Sequence, residues 1–145
     1  MSSRLTFAAL ALFVAGVFLY TGATQAQEKG AKVLAQGEFH NGEKAGKGTA
    51  TVYQLADGKR VLRLSDFATD NGPDLHVRLI AADDARDTAS VAKTAYVEVA
   101  KLKGNKGNQN YELPANVDLG KYRVVSIWCN RFSVNFAAAP LTAAR

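Results

Sequence analysis

Hydrophobic and polar positions alternate with a period of two along most of the chain after Val33. The stretch "GTATVYQL" (48–55) follows this pattern, and so do "RVLRLSDF" (60–67) and "DLHVRLIAA" (74–82). A period of two places successive side chains on opposite faces of a β-strand. These stretches therefore predict strands, with Leu62 and Leu64 on one face.

Turn signals rich in glycine, asparagine and proline separate the alternating stretches. They are "ADGK" (56–59), "DNGP" (70–73) and the predicted loop "KGNKGNQ" (103–109). The segment 83–94 is the least regular and is read as one helical turn or a loop. Four further strands are predicted in "AYVEVAKL" (95–102), "NYELP" (110–114), "YRVVSIWC" (122–129) and "FSVNFAAAPL" (132–141).

About eight short strands at near-regular spacing predict an all-β fold, an antiparallel β-sandwich. No window has the length and apolar stripe of a long amphipathic helix. Jelly-roll and immunoglobulin-like windings give the same pattern at this level, so the strand order stays open.

The N-terminus has the three parts of a secretory signal peptide. A basic start ending at Arg4 precedes the apolar run Leu5–Tyr20, and small residues lead to a predicted cleavage site after Ala26. The alternative is an uncleaved membrane anchor. We expect a signal peptide at 1–26, a lead-in at 27–35 and one domain at 36–142. The protein is then periplasmic or secreted.

The charge balance is basic, with 18 Lys and Arg against 13 Asp and Glu and a net charge of +5. The lysines lie mainly in loops among acidic residues, and no arginine-rich helix is present. This pattern excludes a nucleic-acid partner and favours a solvated basic surface. Attraction to an anionic partner or membrane surface is the lesser alternative. Membrane attachment would otherwise come only from an uncleaved N-terminal segment.

Cys129, the single cysteine, is the main candidate for chemistry. It stands beside the single tryptophan, Trp128, in "SIWCNRFSVNF" (126–136). A buried cysteine often serves as a small hydrophobic residue, whereas a lone thiol in an exported protein is buried, paired between chains or kept for chemistry. Asn130 ends the apolar run, which puts Cys129 at a strand end. In strict alternation Arg131 lies on the same side, where its guanidinium would favour the thiolate.

His40 and His76 are the other candidate ligands. Imidazole nitrogen and thiolate sulfur bind copper, zinc or haem iron. The sequence therefore suggests Cys129, His76 and His40 as cofactor ligands, with His76 and Cys129 as the metal pair. Haem or copper is as compatible with these residues as no cofactor at all. The alternative roles are a loop histidine for His40 and a half-exposed strand residue for His76. No separate catalytic constellation is visible, so an independent enzyme activity is not expected.

Four blocks in order resemble the DM-thirteen (DM13) domain family, whose members also occur beside DOMON domains in animal surface proteins. The resemblance runs from about Gln36 to Leu141. It rests on "GTATVYQLADGKRVLRLSDF", "NGPDLHVRL", "LKGNKGNQNYELP" and "YRVVSIWCNRFSVNFAAAPL". The departure is at Val99–Lys101, where a Leu-Gly pair is expected. The resemblance implies an all-β domain with a proposed electron-transfer role at the cell surface. It also implies that Cys129 acts as a bare thiol or as a ligand to a group such as haem.

Two hypotheses follow from the sequence. In the first, the protein is an exported redox domain that uses Cys129, supported by Trp128 and Arg131, and meets a redox partner or cell-surface protein of unknown identity. In the second, it is a non-catalytic binding or adhesion module in which Cys129 only fills the core.

Overall fold

The computed structural model describes residues 30–145, which fold into ten β-strands with no helix. The predicted signal peptide and the first residues of the lead-in lie outside this range. The described part of the chain has no helix long and apolar enough to cross a membrane. The strands are β1 (Lys32–Glu38), β2 (His40–Asn41), β3 (Gly46–Gln54), β4 (Arg60–Thr69), β5 (Leu75–Ile80), β6 (Tyr96–Lys101), β7 (Lys106–Glu112), β8 (Val124–Cys129), β9 (Val134–Pro140) and β10 (Thr142–Ala143).

The strands form two antiparallel five-stranded sheets that pack face to face. Sheet A has the order β10-β1-β3-β4-β7, and sheet B has the order β2-β9-β8-β5-β6. Within residues 30–145 the chain crosses between the sheets six times: from β1 to β2, β2 to β3, β4 to β5, β6 to β7, β7 to β8 and β9 to β10. The prediction of an all-β sandwich is confirmed, and the strand order left open by the sequence is now defined. β8, which carries Cys129, is the middle strand of sheet B.

The interior lies between the two sheets and is built from the alternating apolar positions. The core cluster includes four fully buried side chains from facing sheets: Leu62 and Leu64 of β4 and Val77 and Leu79 of β5. Burial of each such side chain contributes about 1.5–3 kcal/mol. The two leucines predicted to share one face of β4 therefore do so, and the structure shows that this face points inward.

A second, smaller cluster covers the outer face of sheet B. The connection 81–95 has neither helix nor strand and lies over this face, burying Trp128. Asn135 holds it there, because its amide N–H donates to Thr88 Oγ1 at 3.0 Å and its side-chain amide donates to the Ala85 carbonyl at 3.2 Å. This cover explains why both faces of β8 are apolar. The cluster consists of Ile80, Ala85, Val91, Val124, Trp128 and Ala138.

Several strand boundaries differ from the sequence prediction, and those of β7 and β9 differ for a clear physical reason. β7 begins at Lys106, inside the predicted loop 103–109, because Lys106 and Gly107 pair with β4. Gly107 has a φ of 101°, which fits glycine at this irregular strand start. β9 begins at Val134, two residues later than predicted. Phe132 and Ser133 instead belong to the turn, where Ser133 has a φ of 52°.

Candidate functional site

Cys129 is the last residue of β8, and its side chain is directed into the interior between the sheets. It is fully buried and belongs to the same core cluster as Val125 and Ile127, which lie on the same face of β8. Its direct cross-strand neighbours are Leu75 of β5 and Val134 of β9. The thiol therefore lies at one end of the apolar core, next to the turn that joins β8 to β9.

A depression of about 300 Å³ lies at this end of the sandwich. Its lining includes Leu75, which is only 8% exposed. Directly opposed residues on antiparallel strands have Cβ atoms about 4.5–5.5 Å apart, so Leu75 both lines the depression and neighbours Cys129, which is not in the lining. The remaining lining residues are Asn71, Gly72, Pro73, Asp74, Lys101, Leu102, Gly104 and Asn105.

The loop 70–74 is held close to this apolar end because glycine stands at position 72. A Cβ there would lie 2.7 Å from Leu75 Cδ2 and 3.0 Å from Phe136 Cε2. Backbone hydrogen bonds connect the loop region to its neighbours. Asn130 N–H donates to the Asp74 carbonyl at 2.9 Å. The loop 70–74 and the turn after Cys129 therefore form one connected structure.

His76 lies on the outer face of β5, opposite to the interior. Its Nδ1 hydrogen-bonds Glu98 Oε1, and its Nε2 lies 2.8 Å from Asp74 Oδ1 and 3.1 Å from Asn130 Nδ2. A carboxylate only accepts and an amide nitrogen only donates. Nε2 therefore has a partner whether or not it carries a hydrogen. This network, in which His76 is buried but Glu98 and Asn130 are exposed, joins β5, β6, the loop 70–74 and the turn after Cys129.

Arg78 continues the network and is stacked between two aromatic rings. Its guanidinium carbon lies 3.9 Å from the Tyr96 ring centroid and 5.2 Å from that of Trp128. Arg78 Nε donates to Glu98 Oε2 at 3.0 Å and its Nη2 donates to Asn130 Oδ1 at 2.7 Å. Sequence reasoning did not single out Arg78, Tyr96 or Glu98. Positions 76 and 78 lie on the same face of a strand in strict alternation, so the sequence did indicate that Arg78 lies next to His76 on one face.

His40 lies on β2, at the far edge of sheet B, and also faces outward. Its Nε2 lies 2.5 Å from Asp84 Oδ1, and its Nδ1 lies 2.8 Å from the Asn41 carbonyl. Burial raises the pKa of Asp84, but hydrogen bonds from His40 and Ala85 and the nearby charges outweigh it. The pKa of Asp84 is therefore lower than its usual value. His40 fastens the covering connection 81–95 to the sheet.

Arg131 does not lie beside the thiol. β8 ends at Cys129, and Arg131 is exposed in the turn 130–133. The prediction that positions 129 and 131 share one side assumed a continued strand, and the turn breaks that alternation. Its neighbour Phe132 is 59% exposed, an unusual position for a large apolar side chain.

The structure brings His76 and Trp128 together but separates them from the thiol. His76 and Trp128 are directly paired on the outer face of sheet B, while Cys129 faces inward. His40 is three strands away from His76, roughly 14 Å at the usual strand spacing. Among residues 30–145, no three His, Cys, Asp or Glu side chains are arranged to hold a metal ion. The predicted pair His76 and Cys129 therefore does not converge on one site.

A comparison with protein-family models matches residues 38–141 to the family described as Electron transfer DM13. The match covers well over half of the chain and includes all of sheet B. No curated protein and no solved structure matches the chain significantly.

Proposed function

Because the chain belongs to the Electron transfer DM13 family, we propose that it is an exported redox domain in which the Cys129 sulfur changes oxidation state. The observation that carries this proposal is the place of the thiol. It lies at the end of the middle strand of sheet B, one residue from an exposed turn. Export rests on the signal-like residues 1–26.

Burial of Cys129 is compatible with this role because an electron, unlike a reagent, does not need direct contact with the sulfur. Transfer of one electron to a one-electron carrier leaves a sulfur radical, and the thiol proton passes to solvent at the turn 130–133, which begins at the next residue. Return of one electron and one proton restores the thiol. Burial also protects the sulfur from further oxidation, to which exposed thiols are prone.

The described residues do not fit a role for Cys129 as a metal ligand. A copper site of the kind that transfers electrons needs imidazole nitrogens around the thiolate. The two histidines lie on the outer face of sheet B, and the interior around Cys129 is apolar. A haem bound through this sulfur would have to displace the apolar layer that includes Leu75. We therefore base the proposal on the bare thiol.

One observation favours the second hypothesis, a binding or adhesion module with Cys129 as core filler. Cys129 has no exposed surface and its neighbours are apolar, which is the usual environment of a structural cysteine. Under this hypothesis a Cys129→Ala change costs about 1–3 kcal/mol of stability. It would leave any binding activity intact.

The experiment that separates the two hypotheses is reversible oxidation followed by thiol counting. The protein is treated with ferricyanide, denatured and assayed for free thiol, and a second sample is reduced with ascorbate before the assay. We expect the thiol to disappear on oxidation and to return on reduction. An absorption spectrum and metal analysis of the untreated protein are recorded in parallel.

The matched control is Ala139→Ser, which buries a hydroxyl on the inner face of the neighbouring strand β9 without changing the sulfur. It should be oxidised and reduced like the wild type. A thiol that survives ferricyanide unchanged in a folded, colourless and metal-free protein would contradict the proposal and favour the core-filler role. A visible band that is lost in Cys129→Ser would show a ligand role instead.

A further inference from the structure

Three connections meet at the end of the sandwich where Cys129 lies. Backbone hydrogen bonds join them: Asn130 N–H donates to the Asp74 carbonyl at 2.9 Å, and Leu102 N–H donates to the Leu75 carbonyl at 2.8 Å. The residues 69–75, 101–106 and 129–134 therefore form one continuous surface, which we call the Cys129-end surface. It is built on strand ends and short connections that hydrogen bonds hold in place.

The Cys129-end surface is positively charged, whereas the other long connections are balanced. Its three segments carry four cationic residues, Lys101, Lys103, Lys106 and Arg131, against the two carboxylates of Asp70 and Asp74. The other long connections, each counted with one strand residue on either side, together carry seven cationic residues and seven carboxylates. They are 41–46, 54–60, 80–96 and 112–124. The net charge of the chain, +5, is therefore concentrated partly at this end.

One of the four cationic side chains of this surface is engaged within the protein: the Lys103 ammonium donates to the Asn110 carbonyl and lies 4.9 Å from the Tyr111 ring centroid. All four are exposed, and none forms an ion pair among residues 30–145. Elsewhere Arg86 pairs with Asp84 and Arg123 pairs with Asp83. The positive field of the Cys129-end surface is thus only partly offset by Asp70 and Asp74.

The shape and apolar content of the surface fit a protein partner. Besides the depression next to Leu75, a second depression of about 300 Å³ lies on the other side of the loop 70–74, with Lys47 and Lys106 in its lining. Phe132 projects from the turn with 59% of its surface exposed. An exposed aromatic residue on a basic surface is a typical interface anchor.

We propose that the Cys129-end surface is the docking site for the acidic face of a protein electron carrier. This inference rests on the proposed redox function, since it places the partner next to the strand end that carries the sulfur. Charge complementarity steers transient partners together and fixes their orientation, while the contact area stays small. An anionic membrane fits less well, because Asp70 and Asp74 lie among the cations and one aromatic residue gives little apolar area to insert.

The test uses the soluble haem domain of cytochrome b5 as an acidic probe protein. The ¹⁵N-labelled protein is titrated with it at low salt, and amide chemical shifts are followed. We expect the largest shifts within residues 69–75, 101–106 and 129–134. Binding should weaken as salt rises to about 0.1 M, where the Debye length is about 10 Å. Shifts that are absent or lie mainly on other segments would overturn the inference.

A matched pair of triple variants separates this surface from the net charge of the protein. The variant K101Q/K106Q/R131Q removes three charges from the surface. The control K59Q/K93Q/K121Q removes three exposed charges from other connections. We expect about tenfold weaker probe binding for the first and about twofold or less for the second. Equal weakening would show that only net charge matters and would overturn the inference.

Two further measurements keep this test independent of the redox chemistry and of membrane binding. Cys129→Ser should bind the probe like the wild type. The docking inference can therefore be tested even if the proposed redox role of Cys129 is contradicted. Vesicles of equal parts phosphatidylglycerol and phosphatidylcholine should not retain the protein at 0.15 M salt, where the Debye length is about 8 Å. Retention that K101Q/K106Q/R131Q abolishes would identify a membrane-binding surface and contradict the proposal.

Discussion

Replacing Leu75 with alanine should make the Cys129 thiol accessible from the depression at its end of the sandwich. Leu75 is the direct cross-strand neighbour of Cys129, is 8% exposed and lines that depression. Truncation of its side chain removes the apolar cover between solvent and sulfur. The thiol should then react with a maleimide reagent through a local path, without unfolding of the domain.

The expected size of the effect follows from the cost of the cavity. Leu→Ala changes in a core cost about 2–5 kcal/mol, and a site that opens to solvent falls near the lower end. If Cys129 reacts only after global unfolding, a loss of about 2.8 kcal/mol speeds labelling about 100-fold. A local path adds to this, so labelling of Leu75→Ala should exceed the rate that its stability alone predicts.

Leu79→Ala is the matched control. Leu79 lies on the same inner face of β5, is fully buried and pairs with Val125, away from the depression. Labelling rates of both variants are compared at denaturant concentrations that give them the same free energy of unfolding. We expect Leu75→Ala to react at least about tenfold faster, which corresponds to 1.4 kcal/mol. Equal rates at matched stability would refute the reasoning that Leu75 is the cover over the sulfur.

Three further predictions concern the surrounding structure. Because the pKa of Asp84 is lower in the folded protein than its ordinary value of 3.8, its interaction with His40 stabilises the protein at pH values above 3.8, and this stabilisation is lost as the pH falls below 3.8. In urea unfolding, the free energy of unfolding should therefore fall less between pH 6 and pH 3 for Asp84→Asn than for the wild type. Burial raises the pKa of Tyr111 above its ordinary value of 10.0, although a backbone hydrogen bond from Lys103 acts in the opposite direction; the stability of the wild type should therefore fall as the pH rises through the raised value, and that of Tyr111→Phe should not. At pH 7 the same variant should lose about 1–3 kcal/mol in urea unfolding, because it leaves the hydrogen-bonding groups of Lys103 and Gln109 without their partner. Gly72→Ala should cost about 1–3 kcal/mol in urea unfolding because its Cβ meets the core, whereas Gly104→Ala, whose nearest contact is 3.6 Å away, should cost clearly less; equal costs would contradict the close approach of the loop.

The sequence predicts the interior of this protein well. Alternation alone places Leu62 and Leu64 together on one face of their strand, because a period of two has a fixed geometric consequence. That this face and the face carrying Cys129 point inward is known only from the structure. Alternation also indicates that β8 is apolar on both faces. It does not reveal that the connection 81–95 covers the outer face, since that packing depends on contacts with distant residues such as Asn135.

The surroundings of the candidate site are less predictable, for two physical reasons. The alternation of side chains holds only inside a strand, and it ends where the turn 130–133 begins. Arg131 is therefore exposed in that turn rather than beside Cys129. The partners of His76 come from a loop, a neighbouring strand and a turn, and their approach depends on strand order. The sequence pattern leaves that order open, so the network of Asp74, Glu98 and Asn130 could not be derived from it.

The most direct test of the central claim is the number of electrons that the protein exchanges with a mediator at equilibrium. A coulometric titration of the wild-type protein should give one electron per chain, and Ala139→Ser should give the same value. Cys129→Ser, folded to the same extent, should give none. One electron per chain in Cys129→Ser, or none in the folded wild type, would contradict the account that the Cys129 sulfur is the redox group.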